Sequence, residues 1–125
     1  MKKILFILLI LSTSVYADWM KVVSTSNEDT DIYIELNSIR KNGNSVLFWH
    51  LQDYKQKNEL GDLSMKLKQE INCKEETIKT IALVSYSGNM GSGNVTTSGN
   101  GSGQITHIPP GTLKEEIYKF VCNKK

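Results

Sequence analysis

Ile108-Pro109-Pro110-Gly111-Thr112-Leu113-Lys114-Glu115-Glu116-Ile117-Tyr118-Lys119-Phe120-Val121-Cys122 is the stretch that decides the fold. Pro-Pro-Gly stops whatever precedes it, and the hydrophobic period then becomes helical. Thr112 is a good N-cap, Glu115 three residues later completes a capping box, and Glu116 favours the positive end of the helix. Leu113, Ile117, Phe120 and Val121 fall on one apolar stripe, and Lys119, Lys124 and Lys125 lie toward the negative end. In an ideal helix Cys122 projects opposite Leu113. The last turn is therefore expected to loosen for this thiol to reach a partner in the core.

The partner is Cys73, the other of the chain's two cysteines. It ends a run, 63–73, in which Met65, Leu67, Ile71 and Cys73 share one face while Ser64, Lys66, Lys68 and Glu70 share the other. The phase puts Cys73 on the side that a packed helix would cover. The chain also begins like an exported one. Lys2 and Lys3 precede the apolar run 4–11, and Val15-Tyr16-Ala17 forms a small-residue cleavage pattern. That run is far shorter than the roughly 20 residues of a membrane-crossing helix. The expectation is a signal peptide over 1–17, then one domain over 18–125 with no transmembrane anchor after cleavage. No cysteine stands near the cleavage point, so no lipid attachment is expected.

A single cysteine pair in an exported chain favours a disulfide, Cys73 to Cys122. It closes a loop of about 50 residues, which the chain-entropy account values at about 4 kcal/mol. The rival readings are weaker. Only His50 and His107 could join the cysteines around a metal, at no recognisable spacing, and the Cys-x-x-Cys of redox enzymes is absent. No cofactor is expected. The formal charge of +2 includes Lys2 and Lys3, so the mature chain balances thirteen basic against thirteen acidic side chains. Such a chain has no electrostatic case for nucleic acid.

The rest reads as strands, an α+β chain that is mainly β. Residues 19–24 are β-prone. Residues 31–36 alternate, with Ile32, Ile34 and Leu36 opposed to Asp31, Tyr33 and Glu35. Asn42-Gly43-Asn44 signals a turn into 45–54, where Leu47, Trp49 and Leu51 oppose Phe48, His50, Gln52 and Tyr54. These two strands with their turn are expected to form a hairpin. Residues 77–87 carry apolar side chains on both faces, as a strand covered on both sides does. From 88 to 103 the chain turns to Gly, Ser, Asn and Thr, which reads as a flexible hairpin or loop. Gly91-Ser92-Gly93 lacks the Lys-Ser/Thr and following helix of a phosphate cradle. Residues 95–97 and 104–108 are expected to pair as short strands around the tip.

These features together resemble the surface-adhesin E-like family of exported bacterial proteins. The resemblance is carried by the C-terminal stretch and by Trp19, Tyr33-Ile34-Glu35, Ser38-Ile39, Gly43, Val46 and Trp49. It continues through Asp53-Tyr54, Ser64, Lys66, Cys73-Lys74, Tyr86 and Met90-Gly91. It implies a strongly bent antiparallel sheet of about six strands, with the C-terminal helix tethered to it by the disulfide. It also implies a surface adhesin that binds host extracellular-matrix and serum glycoproteins such as vitronectin and laminin, and that forms homodimers. The chain departs from the family in lacking a lipid-attachment cysteine and in having Glu35 where an aspartate is expected. It is therefore expected to be exported without lipidation, either periplasmic or secreted and cell-surface associated.

Nothing in the sequence assembles an enzyme. His50 and Asp53, three apart on a strand, face opposite sides, and no nucleophile–base–orienter set emerges. Two readings remain. One is a binding module whose partner contacts lie on the non-core face, with Phe48, Tyr54, Lys66 and Lys68 as candidates, since aromatic residues are enriched at interfaces. The other is a soluble periplasmic structural or accessory protein with no host ligand, acting as a homo-oligomer.

Overall fold

The computed structural model describes residues 18–25 and 29–123; the expected signal peptide at 1–17 lies outside them. The alternating runs become strands of one antiparallel sheet. In chain order these are β1 (Trp19–Ser24), β2 (Thr30–Glu35), β3 (Arg40–Asn42), β4 (Ser45–Tyr54), β5 (Ser64–Asn72), β6 (Thr77–Tyr86), β7 (Val95–Asn100) and β8 (Thr106–His107). One helix, α1 (Leu113–Asn123), follows. The strands lie in the order β1-β2-β4-β5-β6-β7, with β3 beside β4 and β8 beside β6. Six strands thus form the main path, and two short ones add to the pairing of its interior strands β4 and β6.

Register decides which face is core. Val46 pairs with Ile71 and His50 with Leu67 across β4 and β5, while Ile34 of β2 lies opposite His50. One face therefore gathers Ile32, Ile34, Val46, Phe48, Ile71 and Ile78, and α1 covers it with Ile117 and Val121. The other face carries Tyr33, Glu35, Trp49, Leu51, Lys66 and Lys68, since Leu51 pairs with Lys66 and Trp49 with Lys68. This overturns the placement of Phe48 on a partner-facing surface: it has no solvent exposure and sits among the aliphatic side chains beneath the helix.

The expected hairpin is also redrawn. β2 and β4 do pair, but the Asn42-Gly43-Asn44 turn joins β3 to β4. Leu36 leaves the strand for a 3-10 turn at Leu36–Ser38. The glycine-rich segment contains the edge strand β7, and both β7 and β8 pair with β6 rather than with each other. Its side chains pack little, but the β6 ladder supplies hydrogen bonds and Thr96 Oγ1 donates to the buried Asp62 at 2.6 Å. At its far end Gly101 N–H donates to the Ile81 carbonyl at 2.8 Å, passing so close to the Thr80 backbone that a Cβ would collide with it.

The helix forms as its caps predict. Thr112 Oγ1 accepts from the Glu115 N–H at 3.3 Å, and the Glu115 carboxylate accepts from Gly111 N–H at 3.4 Å, one residue before the usual capping-box position. Cys122 reaches Cys73 without any unwinding: α1 runs on to Asn123, and the two Cα atoms lie 5.7 Å apart across a bridge of sequence separation 49. The reason is that the tether leaves from the flank of the helix. Cys122 lies one turn beyond Tyr118 on the same stripe, and Tyr118 donates its hydroxyl to the Cys73 carbonyl at 3.0 Å.

Candidate functional site

With α1 on one side, the face that remains open carries a groove of about 290 Å³ lined by Trp19, Glu35, Trp49, Lys66, Val84 and Tyr86. These come from five strands. β1 and β6 are four steps apart in the strand order, about 19 Å on a flat sheet at the usual strand spacing. Yet the Lys66 ammonium of β5 stands 5.6 Å from the Trp19 ring centre and 5.1 Å from that of Tyr86. The sheet must curl toward this face, and the curl makes the groove. Both distances are within cation–π range.

Each wall has its own support. Between the part of β4 paired with β3 and the part paired with β2, the ladder has a gap at Trp49. Ser38 fills it: its hydroxyl accepts from Trp49 N–H at 2.9 Å and donates to the Glu35 carbonyl at 2.6 Å. The Glu35 carboxylate accepts from Asp18 N–H at 2.9 Å and from Asn37 N–H at 3.2 Å, which holds the start of β1 at the rim. Lys66 is steered by the 3-10 turn Asn89–Gly91. A Cβ on Gly91 would stand 2.7 Å from Lys66 Cε, so the bare glycine leaves room for the lysine stem. Asp53 pins that turn by accepting from Met90 N–H (2.8 Å) and Asn89 Nδ2 (3.1 Å). Ser64, fully buried, donates to the Gly88 carbonyl and accepts from Gly91 N–H.

The four contact residues expected from sequence are split by the sheet. Lys66 lies in the groove, and Lys68 shares its face beside Trp49. Phe48 is core. Tyr54 follows Phe48, His50 and Gln52 in the β4 alternation, away from the groove, and donates to Gln52 Oε1 at 2.9 Å; burial, with the nearby Asp62 charge, raises its hydroxyl pKa. Cys73 and Cys122 are joined on the helix side as scaffold. His107 is exposed on β8. His50 is buried and held neutral, its pKa lowered to about 4 by loss of water. Among the described residues no group of three His, Cys, Asp or Glu is placed to hold a metal, and no helix is long and apolar enough to cross a membrane.

Sequence reasoning missed the groove walls Trp19, Glu35, Trp49, Val84 and Tyr86. Four of them enter the sequence reading as points of family likeness or of strand alternation, and none as a contact. The residues of the Asp53, Ser64 and Met90-Gly91 matches prove to be the pins that seat Lys66.

A bent antiparallel sheet with a disulfide-tethered C-terminal helix and an aromatic groove on its open face defines a small binding domain. A model of the surface-adhesin protein E family matches residues 19–123, and the chain belongs to that family. Among solved structures, crystal form II of Haemophilus influenzae protein E superposes with a TM-score of 0.65 at 17% identity, covering 88% of this chain and 91% of that one. Protein E from non-typeable Haemophilus influenzae does so with a TM-score of 0.56 at 16% identity, covering 88% and 78%. At such identities these likenesses speak for the fold alone. No match to a curated protein is found.

Proposed function

We propose that this chain is an exported, non-lipidated adhesin that engages a host matrix or serum glycoprotein, of the vitronectin or laminin kind, through the open face of its sheet. The observation that carries this reading is the groove itself: two tryptophans, a tyrosine and a lysine, each half-buried, gathered on the open face of a fold whose family is one of surface adhesins. Aromatic anchors beside a long cation are what interface centres favour. Nothing in the groove supplies a nucleophile with a base, so binding rather than turnover is the chemistry it offers.

Display and binding are tested in turn. Antibody or protease should reach the protein on intact cells; complete protection there would exclude an adhesin. Solid-phase binding to immobilised vitronectin and laminin should then be saturable, and should fall when Trp49→Ala and Lys66→Met are combined. One observation favours the other reading, a periplasmic homo-oligomer without a host ligand. β7 is an edge strand, exposed along its whole length, that carries no charged side chain to deter pairing. A dimer that survives dilution in a protein invisible on intact cells would support it.

A further inference from the structure

The groove contains an ammonium with no anion to meet it. Lys66 Nζ lies over the faces of Trp19 and Tyr86, and no described carboxylate comes within ion-pair distance. The groove's one acid, Glu35, is turned to the backbone N–H groups of Asp18 and Asn37. The indole N–H groups of Trp19 and Trp49 and the hydroxyl of Tyr86 likewise make no hydrogen bond to another described residue. The site therefore presents aromatic faces, unengaged polar tips and one unpaired ammonium, with its carboxylate committed to two backbone N–H groups.

We infer that the groove binds a pyranose ring that carries a carboxylate, as in sialic and uronic acids. The ring's C–H face, weakly positive, suits the negative face of an indole, and its hydroxyls suit the indole N–H and phenol O–H groups. The carboxylate takes Lys66 in a charge-assisted hydrogen bond. Selectivity follows from the resting position of Lys66. The ammonium covers ring faces that a sugar needs, so a neutral sugar must displace it without compensation, whereas an acidic one draws it onto itself. At about 290 Å³ the groove lies at the lower end of ligand pockets, about 300–1,000 Å³, and suits a single ring. This inference deepens the adhesin reading and rests on the groove being its recognition surface; it supplies the chemical class recognised on a glycoprotein or glycosaminoglycan.

The test titrates the purified protein with sialyllactose, a glucuronate-containing disaccharide, and lactose, followed by tryptophan fluorescence and amide chemical shifts. At least one acidic sugar should saturate in the millimolar range, with lactose weaker by about tenfold or more, the worth of one charge-assisted contact. Which acidic sugar binds tells a glycoprotein terminus from a glycosaminoglycan. Lys66→Met keeps the stem and should lose about tenfold toward the acidic sugar while leaving lactose binding no weaker. Gly91→Ala, which keeps the charge but pushes the lysine tip, should fall between them. An unaltered melting temperature certifies Lys66→Met as folded. Equal binding of lactose and acidic sugars, or an unaffected Lys66→Met, would overturn the inference, as would no saturation by about 10 mM. If that happens while vitronectin or laminin binding persists, the sugar class is wrong and the adhesin reading stands.

Discussion

Burial makes His50 the residue through which acid acts on this fold. Its side chain is enclosed on the helix side of the sheet, with Gln52 Nε2 at 3.3 Å from its Nε2 and no partner for Nδ1. Loss of water lowers its pKa from 6.5 to about 4, against a smaller opposing pull from Gln69. The unfolded chain therefore takes up a proton between those values that the folded protein refuses. Stability is complete above pH 6.5 and falls as pH drops toward 4, by up to about 3 kcal/mol from this group alone. Denaturant melts of a His50→Leu variant should show a smaller loss between pH 7 and pH 4.5 than those of the parent. Phe48 makes a second test at this scale. As a core residue, it should cost about 3–5 kcal/mol on replacement by Ala, seen as a lower midpoint in urea. Its sequence shows why it was misplaced. β4 carries large apolar side chains on both faces, so alternation separates Phe48 from Trp49 without saying which one faces the core; the register against β5 decides that.

Among the elements, α1 was the most legible. Its start and its apolar stripe are local, its tether joins the only two cysteines of the chain, and Thr112, Ile117 and Val121 behave as their spacing predicts. Thr112→Ala should cost about 1 kcal/mol through the lost cap, measurable as a shift in the urea midpoint. Cys122→Ser, paired with Cys73→Ser to avoid a stray thiol, removes about 4 kcal/mol of loop restraint. The melting temperature should fall by more than about 10 °C, and limited proteolysis should cut the helix first. An unchanged melt would deny the bridge its structural role. The flank geometry escaped notice because an ideal-helix projection treats a helix as having one useful face. Tyr118 and Cys122 show a second one, serving the β5–β6 turn. β7 was legible only in part: a short strand is expected at 95–97, but its partner is β6 rather than 104–108. Its Thr, Ser, Gly and Asn carry no strand pattern, and its conformation comes from β6 beside it.

At the scale of the whole molecule, the bent sheet emerged from the family resemblance rather than from any periodicity. Of the groove only Lys66 was legible, because Trp19 and Tyr86 are brought to either side of it by the accumulated curl of the strands between them. One short residue closes the gap in the ladder beside Trp49. Ser38→Ala would leave the Trp49 N–H without its acceptor, at about 1–3 kcal/mol. It should also shift the tryptophan emission of the groove while the helix-side disulfide stays intact.

The bridge and the edge strand give the chain's two ends unequal mechanical roles. Tension applied beyond α1 passes from Cys122 directly into Cys73, beside an interior strand, through a covalent bond. Tension applied at Asp18 falls on β1, which has a strand neighbour on one side only, and opens its ladder one pair at a time from Trp19. The first side chain to leave under such a pull is a wall of the groove. Held by its tail, the domain is loaded through its covalent bridge; held by its head, it is loaded through the strand that carries Trp19.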